Sequence, residues 1–162
     1  MVDLTRLIDR LIQGRVEFVV VGAYAAILHG ATVVTRDVDI CMPFTPKNLF
    51  RLRDALEGLH PWHRMTPQRL PLELNEGNVT ELRNLYLATD LGPLDCLSDI
   101  IAVGGYDVVS ASSVVVKASF GDMRVIDLGS LIATKSRLMR LQDKLVIPQL
   151  LAIKARRSVK SS

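Results

Sequence analysis

Asp37 and Asp39 stand one residue apart in Arg36-Asp37-Val38-Asp39-Ile40-Cys41. In extended backbone, residues i and i+2 project to the same face, so both carboxylates point at one spot while Val38 and Ile40 face the other side. Two anions that close repel, and apolar neighbours raise the cost of desolvating them. A cation resolves the conflict. Hard oxygen ligands at this spacing suit Mg²⁺, which takes one or two protein carboxylates and completes its shell with water and substrate phosphate. Two surface aspartates on a solvated edge strand are the competing reading. A third acid, Asp95, lies in the otherwise apolar run Leu91-Gly92-Pro93-Leu94-Asp95-Cys96-Leu97. There it needs a cation, a hydrogen-bond network or an exposed face. If its strand lies beside that of Asp37 and Asp39, three carboxylates converge on a divalent-metal site able to bridge two ions. Asp90, Asp99 and Asp107 fall at strand ends or turns and read as surface residues.

A glycine turn precedes the pair. Phe18-Val19-Val20-Val21-Gly22-Ala23-Tyr24-Ala25-Ala26 reads as an apolar strand, a glycine and a helix start. A helix N-terminus offers unpaired N–H groups and a positive dipole end to a phosphate, and glycine permits close approach. The other reading is a tight turn that needs glycine for its dihedrals alone. Tyr24 is placed either to stack on a base or to pack. His29, before Gly30 at a helix end, is expected to cap carbonyls rather than to catalyse. Cys41 shares a strand face with Asp39, where nearby acids disfavour a thiolate nucleophile. No Cys/His spacing matches a zinc site.

The elements that must position these residues follow from periodicity. Leu4, Leu7, Ile8, Leu11 and Ile12 recur at helical spacing behind Asp3, a candidate N-cap, predicting a helix over 4–13 that Gly14 ends. Val16–Val21 predict a buried strand, Ala23–His29 a short helix, Asp37–Met42 a strand, and Thr45-Pro46 the start of a helix reaching about Leu59. The proline-punctuated stretch from His60 to Gly77 reads as loop. Strands are expected near 84–88, 94–97, 114–117 and 123–126, and helices over 128–141 and 144–156. The fold class is therefore α/β (α+β): a mixed sheet with flanking helices and a C-terminal helical segment. The expected organisation is a core over 1–127, a helical segment over 128–156 and a flexible tail over 157–162.

At 162 residues with 49% hydrophobic content, the chain can bury a core and is not disordered. No apolar run reaches membrane-spanning length, and the N-terminus lacks the features of a secretory signal. Cys41 and Cys96 read as reduced thiols, which points to a cytoplasmic location and away from a disulfide. Much of the net charge of +3 sits at the C-terminus, in Lys154, Arg156, Arg157 and Lys160. A solvated helix end is favoured over a nucleic-acid arm, because no aromatic residue interleaves the charges.

The string Val21-Gly22-Ala23-Tyr24-Ala25-Ala26, His29-Gly30 and Thr35-Arg36-Asp37-Val38-Asp39-Ile40 resembles the signature of the DNA polymerase beta-type nucleotidyltransferase superfamily. Within it, the chain is most similar to small bacterial proteins related to abortive-infection and toxin–antitoxin enzymes. Asp37 and Asp39 match the paired metal ligands, and Asp95 matches the third acid. The segment Asp127–Lys135, with Arg140 and Asp143-Lys144, resembles the helical region that follows the core in these proteins. The resemblance spans residues 16–153. Two positions depart from it: Ala23 has no hydroxyl where the second residue of the turn can be serine, and Val33 stands where relatives often carry arginine.

The resemblance implies transfer of a nucleotidyl group from a nucleoside triphosphate to a protein or RNA hydroxyl, in a toxin–antitoxin or phage-defence setting. Asp37 and Asp39 would hold one magnesium ion. A second would sit among Asp37, Asp39 and Asp95, with Asp95 also able to act as base. Gly22 and Ala23 would contact the triphosphate through N–H groups. Lys135 would supply a phosphate-directed cation, unless it simply faces solvent. A weak or inactive relative acting as an antitoxin-like binding protein is the main alternative. A dinucleotide-binding module is a distant third, because Gly22-Ala23-Tyr24 lacks the three spaced glycines of that fingerprint. The acceptor, the nucleobase and the oligomeric state are not encoded in any readable motif.

Overall fold

A computed structural model describes residues 1–160. It is a mixed α/β structure whose elements, in chain order, are α1 (Leu4–Gln13), β1 (Val19–Val21), α2 (Gly22–Leu28), β2 (Val38–Cys41), α3 (Pro46–Ala55), β3 (Trp62–His63), β4 (Leu70–Pro71), β5 (Asn84–Thr89), β6 (Gly92–Leu97), β7 (Asp99–Ile100), β8 (Gly104–Gly105), α4 (Tyr106–Ser112), β9 (Val114–Ala118), β10 (Gly121–Val125), α5 (Leu128–Leu138) and α6 (Leu141–Lys160). The main sheet has the order β4-β3-β5-β6-β2-β1-β10-β9, and β7 and β8 form a separate small hairpin. β2 runs parallel to β6 and antiparallel to β1, while β1 runs parallel to β10.

Local chemistry explains the helix starts. The Asp3 carboxylate accepts from the Arg6 N–H at 3.1 Å, Thr45 caps α3 with Pro46 next to it, and Asp127 accepts from the Ser130 N–H at 3.2 Å. Leu7, Ile8 and Leu11 of α1, with Leu49 and Leu52 of α3, are fully buried together with the inner strands. On β6 burial alternates strictly: Leu94 and Cys96 are buried, while Asp95 and Leu97 on the opposite face are only half-buried. On β5 and β6 one face therefore carries the core and the other presents Tyr86 and Asp95, whereas β1 is buried on both faces.

Three stretches differ from the expectations. Residues 60–77 are not all loop: β3 and β4 lie there and extend the sheet. A two-residue strand is too short to show periodicity, so nothing marked it. The β7–β8 hairpin and α4 likewise fell between expected strands. At the C-terminus, α6 continues to Lys160, into the expected tail, because Arg157 donates to the His29 carbonyl and to His29 Nδ1, both at 3.1 Å. Ser161 and Ser162 lie outside the described residues.

Helix α6 also fixes the loop between α2 and β2. Gln149 accepts from the Thr32 N–H at 2.7 Å and donates to the Thr32 carbonyl at 3.2 Å. His29 Nε2 donates to the Ile126 carbonyl at 2.7 Å, so the imidazole ties α2 to the chain beyond β10 instead of capping its own helix. Burial, then the nearby Arg157 charge, keep this ring neutral by lowering its pKa.

Candidate metal centre

Register places the acids. On the paired strands β2 and β6, Asp39 lies directly opposite Asp95, and on the other side of β6 Asp95 lies opposite Tyr86 of β5. Asp39 is also opposite Val21 of β1. Beyond Tyr86 the row continues to Arg64, whose N–H donates to the Tyr86 carbonyl at 3.0 Å. Five residues thus cross the sheet side by side, Arg64–Tyr86–Asp95–Asp39–Val21, and Asp37 enters from just before β2. Among the described residues, Asp37, Asp39 and Asp95 form the one group of three possible ligands that could hold a metal ion, with ligand atoms all within 4.8 Å of one another.

Each acid has a distinct environment. The Thr35 hydroxyl donates to Asp37 Oδ1 at 3.0 Å, which orients that carboxylate at the end of the loop. Burial, and then the charges of Asp37 and Asp95, push the Asp39 pKa up to about 7. In the metal-free cluster Asp39 therefore retains a proton near neutrality and shares it with Asp95. Burial raises Asp95 as well, against the opposing pull of Arg64, whose Nη2 hydrogen-bonds and ion-pairs with Asp95 Oδ1. Sequence reasoning missed Arg64. Its only signal is the continuation of the β3 register, which becomes visible once β3 itself is known.

Gly22 fits the reading of a tight turn that needs glycine for its dihedrals, and it also permits a close approach. Its φ is +70°, which favours glycine, and a Cβ there would lie 2.4 Å from Asp39 Oδ2. Glycine is needed to leave space for the carboxylate. Gly22→Ala should therefore cost on the order of 1–3 kcal/mol in stability and displace Asp39. The checks are a thermal melt and a Mg²⁺ titration, both set against Ala23→Gly as control.

Beside the acids lies a cleft of about 310 Å³, lined by Val21, Gly22, Asp39, Tyr86, Asp95 and Leu97 on the sheet side. Ile100 and Ile101 from the β7–β8 hairpin, with Leu131, Thr134, Lys135 and Leu138 from α5, form the opposite wall, and Arg140 stands at its edge. Gly22 and Lys135 thus border the cleft, whereas Ala23 does not. Lys135 is not solvent-facing: it is 3% exposed and bonds Asp143 Oδ1 at 3.1 Å. Asp143 also accepts from the backbone N–H and side-chain Nε of Arg140, at 3.0 and 3.2 Å. The exposed cation on this wall is Arg140, with its side chain 65% accessible.

The remaining candidates separate cleanly. Tyr24 and Val33 pack against the core. Asp90, Asp99 and Asp107 are exposed, although Asp99 also borders the cleft. His60 pairs with Asp90 at the surface. Cys41 and Cys96 are free and buried, and burial, aided by Asp99, pushes the Cys41 thiol up to about 12, so neither is a nucleophile. No helix among the described residues is long and apolar enough to cross a membrane.

Three carboxylates and one guanidinium leave a formal charge of −2, which matches a single divalent cation. The all-oxygen donor set suits a hard metal. Arg64 bonds one of the two Asp95 carboxylate oxygens, Oδ1. No protein-family model matches this chain, and no curated protein matches its sequence.

Proposed function

We propose that the chain transfers a nucleotidyl group from a nucleoside triphosphate to a hydroxyl of a protein or RNA acceptor, breaking the bond between the α- and β-phosphates and releasing pyrophosphate, with magnesium held by Asp37, Asp39 and Asp95. The observation that carries this reading is the in-register pairing of Asp39 with Asp95 on adjacent parallel strands, with Asp37 alongside, at the mouth of a largely apolar cleft. Magnesium bound there neutralises charge on the transferred phosphate and makes the acceptor hydroxyl more acidic.

The residues of the chain divide the remaining work. Asp95 carries a raised pKa and is held in place by Arg64, so it is placed to take the acceptor's proton. Arg140, rather than Lys135, is the cation free to meet a triphosphate. Its guanidinium lies at the cleft edge, and its approach is fixed by the buried Asp143 carboxylate. Lys135 holds Asp143 from the buried side. Tyr86 and the apolar wall of Leu97, Ile100 and Leu131 offer a dry surface for a nucleobase.

A toxin–antitoxin or phage-defence setting is part of the same proposal and rests on the sequence resemblance. The reading is tested by incubating the chain and its copurified partner, or RNA, with each of the four labelled triphosphates, with and without Mg²⁺. Label on an acceptor that requires Mg²⁺ is the expected result; absence of label from all four sinks the enzyme reading.

A second reading, a nucleotidyltransferase-fold binding protein without catalysis, is favoured by one contact. Arg64 already neutralises Asp95, and its Nε is buried without a hydrogen-bond partner. Arg64→Gln discriminates between the two. If Asp95 works as a base, the variant should bind Mg²⁺ roughly five- to tenfold more tightly, because the cluster regains a full negative charge, yet transfer more slowly. Tighter metal binding with no transfer in either protein supports the binding-protein reading. Isothermal titration and label transfer measure the two effects separately.

A further inference from the structure

Helix α6 buries one face through Asp143, Val146, Leu150 and Ile153. Its opposite face carries Leu141, Leu145, Pro148, Ala152 and Ala155, all exposed, with Leu141 at 83% and Leu145 at 74%. The steps between them are four, three, four and three residues, the spacing of a coiled-coil seam. Leu151, 50% exposed, flanks this stripe and Val159, 75% exposed, continues it, but alanine holds two of its five named positions, where a helix lying on a bilayer presents bulky residues. The small side chains of Ala152 and Ala155 permit close approach by another helix. Pro148 has no N–H to give the Lys144 carbonyl one turn back; a protein partner can donate to that carbonyl, and lipid tails cannot.

Charge decides what kind of helix fits. The only acid on α6 is Asp143, which is buried and engaged by Lys135 and Arg140. Lys144 and Arg156 flank the seam, and Lys154 and Lys160 add to the same sign. Charges beside a seam select the partner, and pairing two copies of α6 would set cations near cations with no acid to meet them.

We infer that the exposed seam of α6 docks a partner protein through an amphipathic helix whose apolar stripe is flanked by aspartate or glutamate. The seam begins at Leu141, next to Arg140 of the cleft, but the inference does not rest on the proposed activity. The docked helix packs Leu-sized side chains against Leu141 and Leu145, lies close over Ala152 and Ala155, and places its carboxylates beside Lys144 and Arg156.

The test uses the full chain and a synthetic helical peptide with leucine at every seam position and glutamate at the flanking positions. A second peptide carries lysine in place of each glutamate. The glutamate peptide should bind saturably, at least about tenfold more tightly than the lysine peptide, and weaken in about 0.5 M salt. Leu141→Glu/Leu145→Glu, and separately Ala152→Asp, should each reduce that binding by about tenfold or more without changing the circular dichroism of the chain. Equal binding of the two peptides, or binding of neither, overturns the proposal. So does concentration-dependent dimerisation lost in Leu145→Glu, which would assign the seam to a second copy. Cosedimentation with phosphatidylserine vesicles that the same variant abolishes would assign it to a membrane and overturn the proposal equally.

Discussion

Replacing Asp39 with asparagine is expected to abolish Mg²⁺-dependent transfer and, in metal-free buffer above pH 7, to make the protein more stable. The two effects have one origin. Asp39 is crowded by Asp37 and Asp95 in a half-buried site, so its charged form is disfavoured until a cation arrives. Asparagine keeps the shape and removes the charge. Loss of the central ligand should slow transfer by about a thousandfold or more, equivalent to about 4 kcal/mol of barrier. Relief of the like-charge conflict should add on the order of 1–2 kcal/mol to metal-free stability.

The pH dependence follows from the same raised pKa. With a folded-state value of about 7, the native protein holds a proton on Asp39 that the unfolded chain has released. The Asp39 contribution to metal-free stability therefore falls as pH rises from about 4 to about 7 and then levels off, so the stability gained by Asp39→Asn should grow across that range. Metal binding must expel the proton, so apparent Mg²⁺ affinity should climb with pH and level off above about 7. Melting curves across pH read the first effect. Calorimetry in buffers of differing ionisation enthalpy reads the second, as a released proton that the variant lacks. A flat affinity between pH 5.5 and about 8 would remove the proton from the site.

The same acids show what a sequence can reveal. Asp37 and Asp39 were legible from their spacing, although Asp37 lies just before β2 and is oriented by Thr35 rather than by strand alternation, and Asp95 was legible because an acid in an apolar run demands an explanation. Their convergence depended on β2 pairing with β6 in a register that no local pattern encodes. Arg64 was hidden for the same reason, since its position depends on a two-residue strand held by pairing with β5. Lys135 was recognised as a cation near the site, but its partner was not. The Lys135–Asp143 pair forms only when the chain reverses at Met139, whose left-handed conformation closes α5. Neither glycine nor asparagine, the usual marks of such a helix end, stands there.

That reversal carries the largest expected loss of stability. Asp143→Ala should destabilise the protein by about 3–5 kcal/mol and lower the melting temperature by roughly 10 °C or more. The carboxylate is 1% exposed, and its removal strands the buried Lys135 ammonium. It also releases the Arg140 backbone N–H at the start of α6 and the Arg140 side chain. Lys135→Ala should cost less, on the order of 1–3 kcal/mol, because Arg140 still satisfies part of Asp143. Lys135→Met combined with Asp143→Leu should regain most of the lost stability, since an apolar pair of similar size leaves no buried charge. It should not regain nucleotide affinity, because Arg140 remains unanchored. Burial alone would raise the Asp143 pKa, but the hydrogen bonds from Arg140 and Lys135 overcome it and hold the group below the usual carboxylate range. Its contribution is therefore present above about pH 4 and is lost as pH falls through the depressed native value. Chemical denaturation at pH 7 and pH 3 measures this directly: the gap between wild type and Asp143→Ala should be wide at the first and narrowed at the second. A gap independent of pH would mean that packing, not the buried ion pair, holds α6 to α5.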